Sequence, residues 1–109
     1  MIEYYNHLTN NDKWIVDIYK GKRNGYFVEA GALDGISGSC TYTLEKYFDW
    51  KGILVEPGIP FKNLIKNRRK SVCENLCIFN KNGFRCLTQL FGSFQSIKRI
   101  YLPCVFYSV

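Results

Sequence analysis

Two carboxylates and three glycines carry the chemistry that this sequence can offer. The stretch "YFVEAGALDG" runs from an apolar segment through Glu29 into Gly31 and Gly35, with Ala32 and Asp34 between them. A second apolar stretch, "KGILVEP", ends on Glu56 and Pro57. A carboxylate has two acceptor oxygens, which match the two O–H donors of a vicinal ribose diol. Gly35 precedes Glu56 by about the 20 residues that separate a glycine loop from a ribose-binding acid. The glycine pattern is Gly31, Gly35, Gly38, which departs from the G-x-G-x-x-G of a dinucleotide loop, and no P-loop lysine follows. An acid at position 29 repels a pyrophosphate and suits an amino group. The pattern therefore points to a nucleoside ligand without phosphates, against the alternative of an ordinary glycine-rich turn.

S-adenosylmethionine meets that description. It has an ammonium, a carboxylate and a ribose diol, and it has no phosphate. Glu29 would face the ammonium, directly or through water, and Glu56 would hold the ribose. Backbone N–H groups of the loop and of the helix starting near Ser39 would take the carboxylate.

The elements that must position these groups alternate. "NNDKWIVDIYKG" (10–21) has helical periodicity, with Asn11 or Asp12 as cap, Trp14, Ile15, Ile18 and Tyr19 on one face, and Gly21 as stop. A strand is expected around Tyr26–Ala30. "SCTYTLEKYFDW" (39–50) predicts a second helix with Ser39 as cap and Leu44, Tyr47 and Phe48 as its stripe. Residues 51–57 read as a buried parallel strand closed by proline. Pro60 opens a third helix, with Phe61, Leu64 and Ile65 inward and Lys62, Lys66, Arg68, Arg69 and Lys70 in water. "SVCENLCIF" (71–79) is a third strand. Helix, strand, helix, strand, helix, strand argues for βαβ units and a parallel sheet whose strand ends share one edge. Residues 80–109 show no clear βα rhythm: 100–109 suit a strand, and 86–99 make a poor helix broken at Gly92.

Composition bounds the function classes. The chain has 109 residues, 47% of them hydrophobic, which suffices for one globular domain or part of one. No apolar run spans a bilayer, and the polar N-terminus lacks a secretory h-region, so a cytoplasmic location and no membrane partner are expected. Five cysteines, an odd count without a CxxC pair, point to reduced thiols, and with His7 as the single histidine no metal site is expected. The net charge of +6 is uneven: every acid lies within residues 1–74, while the remainder holds only Lys81, Arg85, Lys98 and Arg99. No nucleic-acid motif accompanies that charge, and no nucleic-acid partner is expected.

The words "GYFVEAGALDG", "TYTLEKYFDWKGILVEP" and "KNRRKS", in this order and spacing, resemble the FkbM family of S-adenosylmethionine-dependent methyltransferases. The likeness covers roughly residues 10–78. It implies a partial Rossmann-like class I methyltransferase fold, a parallel sheet in β-α-β-α-β order preceded by an N-terminal helix. It also implies O-methylation of a hydroxyl on a sugar or small molecule. Carried over by position, Glu29, Gly31, Ala32, Asp34 and Gly35 form the cofactor loop, Glu56 holds the ribose, and Ser39 and Thr41 sit at the helix mouth near the methionine end. Cys40 stands where the family usually has Asn, and Gly58 where Asn is frequent. The resemblance assigns no catalytic base. Residues 1–79 thus read as the N-terminal half of a methyltransferase domain and 80–109 as a divergent or truncated tail. Half a sheet leaves an edge open to self-association and makes activity of the isolated chain doubtful. The alternatives are a non-catalytic cofactor-binding or interaction remnant and, further off, a nicotinamide-nucleotide half-domain.

Overall fold

A computed structural model describes residues 1–78, 84–85 and 105–107. The elements are α1 (Asn11–Ile18), β1 (Tyr26–Ala30), α2 (Tyr42–Phe48), β2 (Lys51–Val55), α3 (Phe61–Asn67), β3 (Val72–Glu74), β4 (Cys77–Ile78), β5 (Phe84–Arg85) and β6 (Val105–Tyr107). The main sheet has the order β3-β2-β1-β6, in which β1, β2 and β3 are parallel and β6 is antiparallel to β1. β4 and β5 form a separate antiparallel pair. The chain is a small mixed α/β structure, as the alternating pattern predicts.

Apolar periodicity dictates this arrangement where the helices meet the sheet. Ile15 of α1, Phe27 of β1, Leu44 of α2, Leu54 of β2 and Leu64 of α3 are 1% exposed or less and form one cluster with Trp50. Each such side chain contributes about 1.5–3 kcal/mol on burial, so one face of the sheet fixes all three helices. Trp50 keeps its indole N–H satisfied by donating to the Lys22 carbonyl at 2.7 Å. Ala30 pairs with Val55, and the Gly31 and Ala32 N–H groups both donate to the Val55 carbonyl. The two strands therefore end level, and the glycine loop begins at the rim where β2 stops.

Several expectations need correction. The first helix stops at Ile18, and its cap position, Asn10, makes no side-chain cap bond. Asp12 is buried instead and accepts the Tyr5 and Asn6 N–H groups at 2.6 and 3.1 Å, which straps the N-terminal segment onto the helix. That turns the Asp12–Ile15 side inward and leaves Trp14 and Ile18 more than half exposed. The 71–79 run is two short strands, because the chain leaves the main sheet after Glu74. Arg68 is fully buried rather than in water. Cys40 is disulfide-bonded, against the expectation of reduced thiols, while Cys73 is a free thiol. The far edge of β1 is paired with β6 over Tyr26–Val28. Of the strand expected over 100–109, Val105–Tyr107 form β6; the rest of that run and the helix expected over 86–99 lie outside the described residues. Among the described residues no helix is long and apolar enough to cross a membrane.

Candidate functional site

The site lies where β1 and β2 end. Glu29 shares its face of β1 with Phe27, and both are buried. The Glu29 carboxylate accepts the Cys40 N–H at 2.8 Å and the hydroxyls of Ser39 and Thr41. Burial pushes its pKa up; the Thr41 hydroxyl, the Cys40 N–H, the Arg68 charge and the Ser39 hydroxyl pull the other way without overcoming it. The structure thus places Glu29 behind the loop, tied to the start of α2, rather than at its open mouth. The first donors of α2 are also taken. The cap position of α2 is Thr41, whose side chain makes no cap bond, rather than the expected Ser39; Ser39 Oγ instead accepts the Thr41 and Tyr42 N–H groups at 3.1 and 3.0 Å just ahead of the helix. These N–H groups are not aimed at a ligand carboxylate.

Glu56 is placed differently. Its Oε1 accepts the Leu33 N–H at 2.9 Å, and its Oε2 accepts the Gly58 N–H at 2.7 Å. Its backbone is fixed too, since its N–H donates to Glu74 and its carbonyl accepts Asn75 Nδ2 at 2.9 Å. A carboxylate has about four acceptor positions, so these bonds orient Glu56 and leave each oxygen able to accept another donor. Beside it, Pro57, Gly58, Ile59, Phe61, Lys62 and Asn75 line a cleft of about 380 Å³. Ile59 is strongly exposed, as is Leu33 on the facing loop.

The loop between the acids has a left-handed backbone at Gly31, Leu33, Gly35 and Gly38. At Gly31, φ is +71° and a Cβ would have no neighbour within 4 Å, so the backbone there fronts open space. Ala32 is buried. Gly35 is the opposite of Gly31: φ is +84°, and a Cβ would lie 2.6 Å from Arg68 Cγ and 2.7 Å from Leu64 Cδ1. Asp34 holds the loop, its Oδ1 accepting the Ile36 and Ser37 N–H groups at 2.9 Å. Gly31, Ala32 and Glu56 therefore meet at one rim. Glu29, Ser39 and Thr41 form a buried layer behind it, and Asp34 and Gly35 shape the turn.

Sequence reading missed the group that joins these layers. Arg68 follows α3 and donates to the Gly35 carbonyl at 2.9 Å, to Ser39 Oγ at 3.3 Å and to Thr41 Oγ1 at 3.0 Å. Its Nε and Nη2 both reach Glu45 Oε2 at 2.9 Å, and Ser71 donates to the same oxygen at 2.7 Å. The guanidinium lies over the rings of Phe27 and Tyr42, 5.5 and 5.4 Å from their centres. One signal was present in the sequence: Arg68 continues the Phe61, Leu64 stripe at i+7 and i+4. Among the described residues no cluster of three His, Cys, Asp or Glu could hold a metal ion.

Comparisons of the chain with protein-family models, curated proteins and solved structures find no match.

Proposed function

We propose that this chain is the cofactor-binding half of an S-adenosylmethionine-dependent methyltransferase domain of FkbM type, acting on a hydroxyl of a sugar or small molecule. The observation that carries the reading is Glu56. It is a buried carboxylate at a parallel-strand end, held by two backbone N–H groups with acceptor capacity left on each oxygen. A ribose diol supplies the two O–H donors that this arrangement lacks. The adjoining cleft, with exposed Ile59 and with Phe61 in its lining, offers an apolar surface to a purine base. Gly31 lets the ligand approach main chain. When bound, the cofactor supplies an electrophilic methyl group, and these residues hold its nucleoside end.

The fit is uneven. Glu29 takes the Cys40 N–H and Ser39 Oγ takes the Thr41 and Tyr42 N–H groups, so the described residues suit the nucleoside end better than the amino-acid end. Asp34 is taken up by its own turn, and no base is assigned. That favours, as a second reading, a module that binds cofactor without turning it over.

Titration calorimetry with S-adenosylhomocysteine tests the main reading. Saturable heat is expected from the wild-type chain, with at least tenfold weaker binding by Glu56→Gln, whose amide sets a donor against a backbone N–H. Absence of heat at millimolar ligand overturns it. Preference for NAD in competition would instead select the nicotinamide alternative. Methyl transfer to a panel of sugars separates enzyme from binding module.

A further inference from the structure

We propose that Arg68 is the positioning residue of the glycine loop, a buried three-point tie that gives residues 31–41 the shape in which they and Glu56 meet a ligand. The role rests on the cofactor reading for the ligand's identity, but the tie itself rests on geometry. Between the end of β1 and the start of α2 the chain runs from Ala30 to Tyr42 with no helix or strand of its own. Such a segment loses backbone entropy at every ordered residue and needs fixed anchors. Asp34 supplies one anchor inside the loop. Arg68 supplies three at once: the Gly35 carbonyl, Ser39 Oγ and Thr41 Oγ1.

The arrangement requires arginine. Five donors in a planar fork reach the loop with Nη1 and Nη2 while Nε and Nη2 remain on Glu45. Glu45 neutralises the guanidinium, and Phe27 and Tyr42 flank it, so Arg68 is not an anion site for a ligand. Ser39 and Thr41 relay the tie onward, since both hydroxyls that accept from Arg68 donate to Glu29. The loop is thereby clamped from α3 on one side and β1 on the other. Gly35 belongs to the same device, because any side chain there would displace Arg68.

The test combines amide hydrogen exchange on the full chain with S-adenosylhomocysteine calorimetry, using Arg68→Lys and Thr41→Val. Lysine keeps the charge on Glu45 and loses the fork. Amides of residues 35–41 should exchange at least tenfold faster in Arg68→Lys, with β1 and β2 amides unchanged and ligand affinity weakened tenfold or more. Faster exchange spread evenly over the strands, or no change in the loop, overturns the proposal. Should Arg68→Lys fail to fold, Thr41→Val removes one tie point with Arg68 in place, and the same local pattern decides. A wild-type chain that gives no heat with the ligand removes the cofactor reading alone, and loop exchange still judges Arg68.

Discussion

Replacing Arg68 with methionine puts the buried Arg68–Glu45 ion pair to a direct test. Arg68 is 0% exposed and its partner Glu45 is 6% exposed. Removing the cation leaves Glu45 as a buried carboxylate with the Ser71 hydroxyl as its remaining donor among the described residues, and Glu29 loses its nearby positive charge. Breaking a buried pair in this way costs about 3–5 kcal/mol, and a domain of this size holds about 5–15 kcal/mol in total. Arg23 and Asp49 form an ion pair whose side chains are 58% and 51% exposed, where the expected loss is below about 1 kcal/mol. Arg23→Met is therefore the internal control. In urea, with a slope of about 1–3 kcal/mol per molar, Arg68→Met should lower the unfolding midpoint by roughly 1–5 M. The double variant Arg68→Met/Glu45→Met removes both charges at similar volume and should recover at least about 2 kcal/mol of the loss. A midpoint shift for Arg68→Met no larger than that for Arg23→Met would refute the reasoning, as would a double variant less stable than the single one.

Three further outcomes follow from the same geometry. Burial raises the Glu29 pKa above its ordinary 4.5, so the folded chain binds that proton more tightly than the unfolded chain. Ionisation then costs stability. The penalty is absent below the unfolded value, grows as pH rises through the interval up to the folded value, and is complete above it. Denaturation at several pH values should show wild-type stability, relative to Glu29→Gln, falling from pH 4 towards neutrality, and a rising difference contradicts the assignment. Gly35→Ala should lose about 2–4 kcal/mol by thermal unfolding, combining a left-handed backbone with contacts under 3 Å to Arg68 and Leu64; a loss below 1 kcal/mol is incompatible with that packing. Gly31→Ala, where a Cβ has room, should cost only about 1–2 kcal/mol from its positive φ and should instead weaken ligand binding. Unchanged affinity there would remove Gly31 from the ligand surface.

The parallel β1–β2 pair and the helices beside it were legible because short apolar runs alternate with helical stripes and end on glycine or proline. Glu56 was legible as a strand-end acid for the same reason. The buried charges were not. Arg68 reads as a solvated helix charge and Asp12 as a helix cap, and nothing singles out Glu45, since spacing gives a helix face and cannot say whether a partner waits there. For Asp12 the partners are backbone N–H groups of an N-terminal segment without periodicity. For Arg68 they come from a loop, a helix and a serine after α3. Trp14 and Ile18 failed for the converse reason: their face is apolar, yet Asp12 rotates the helix away from it. Glu29 was placed at the correct rim, but strand alternation sends its side chain under α2, which needs the packed structure to see.

β1 has partners of very different sequence distance. Tyr26 pairs with Lys51 on one flank and with Tyr107 on the other. A ribosome adding about 5–20 residues per second delivers the second partner roughly 4–16 s after β1 has been made. For that interval a strand carrying Phe27 and Val28 waits with one row of backbone groups unpaired. Newborn chains on neighbouring ribosomes would find in that row a docking template that the finished protein no longer offers.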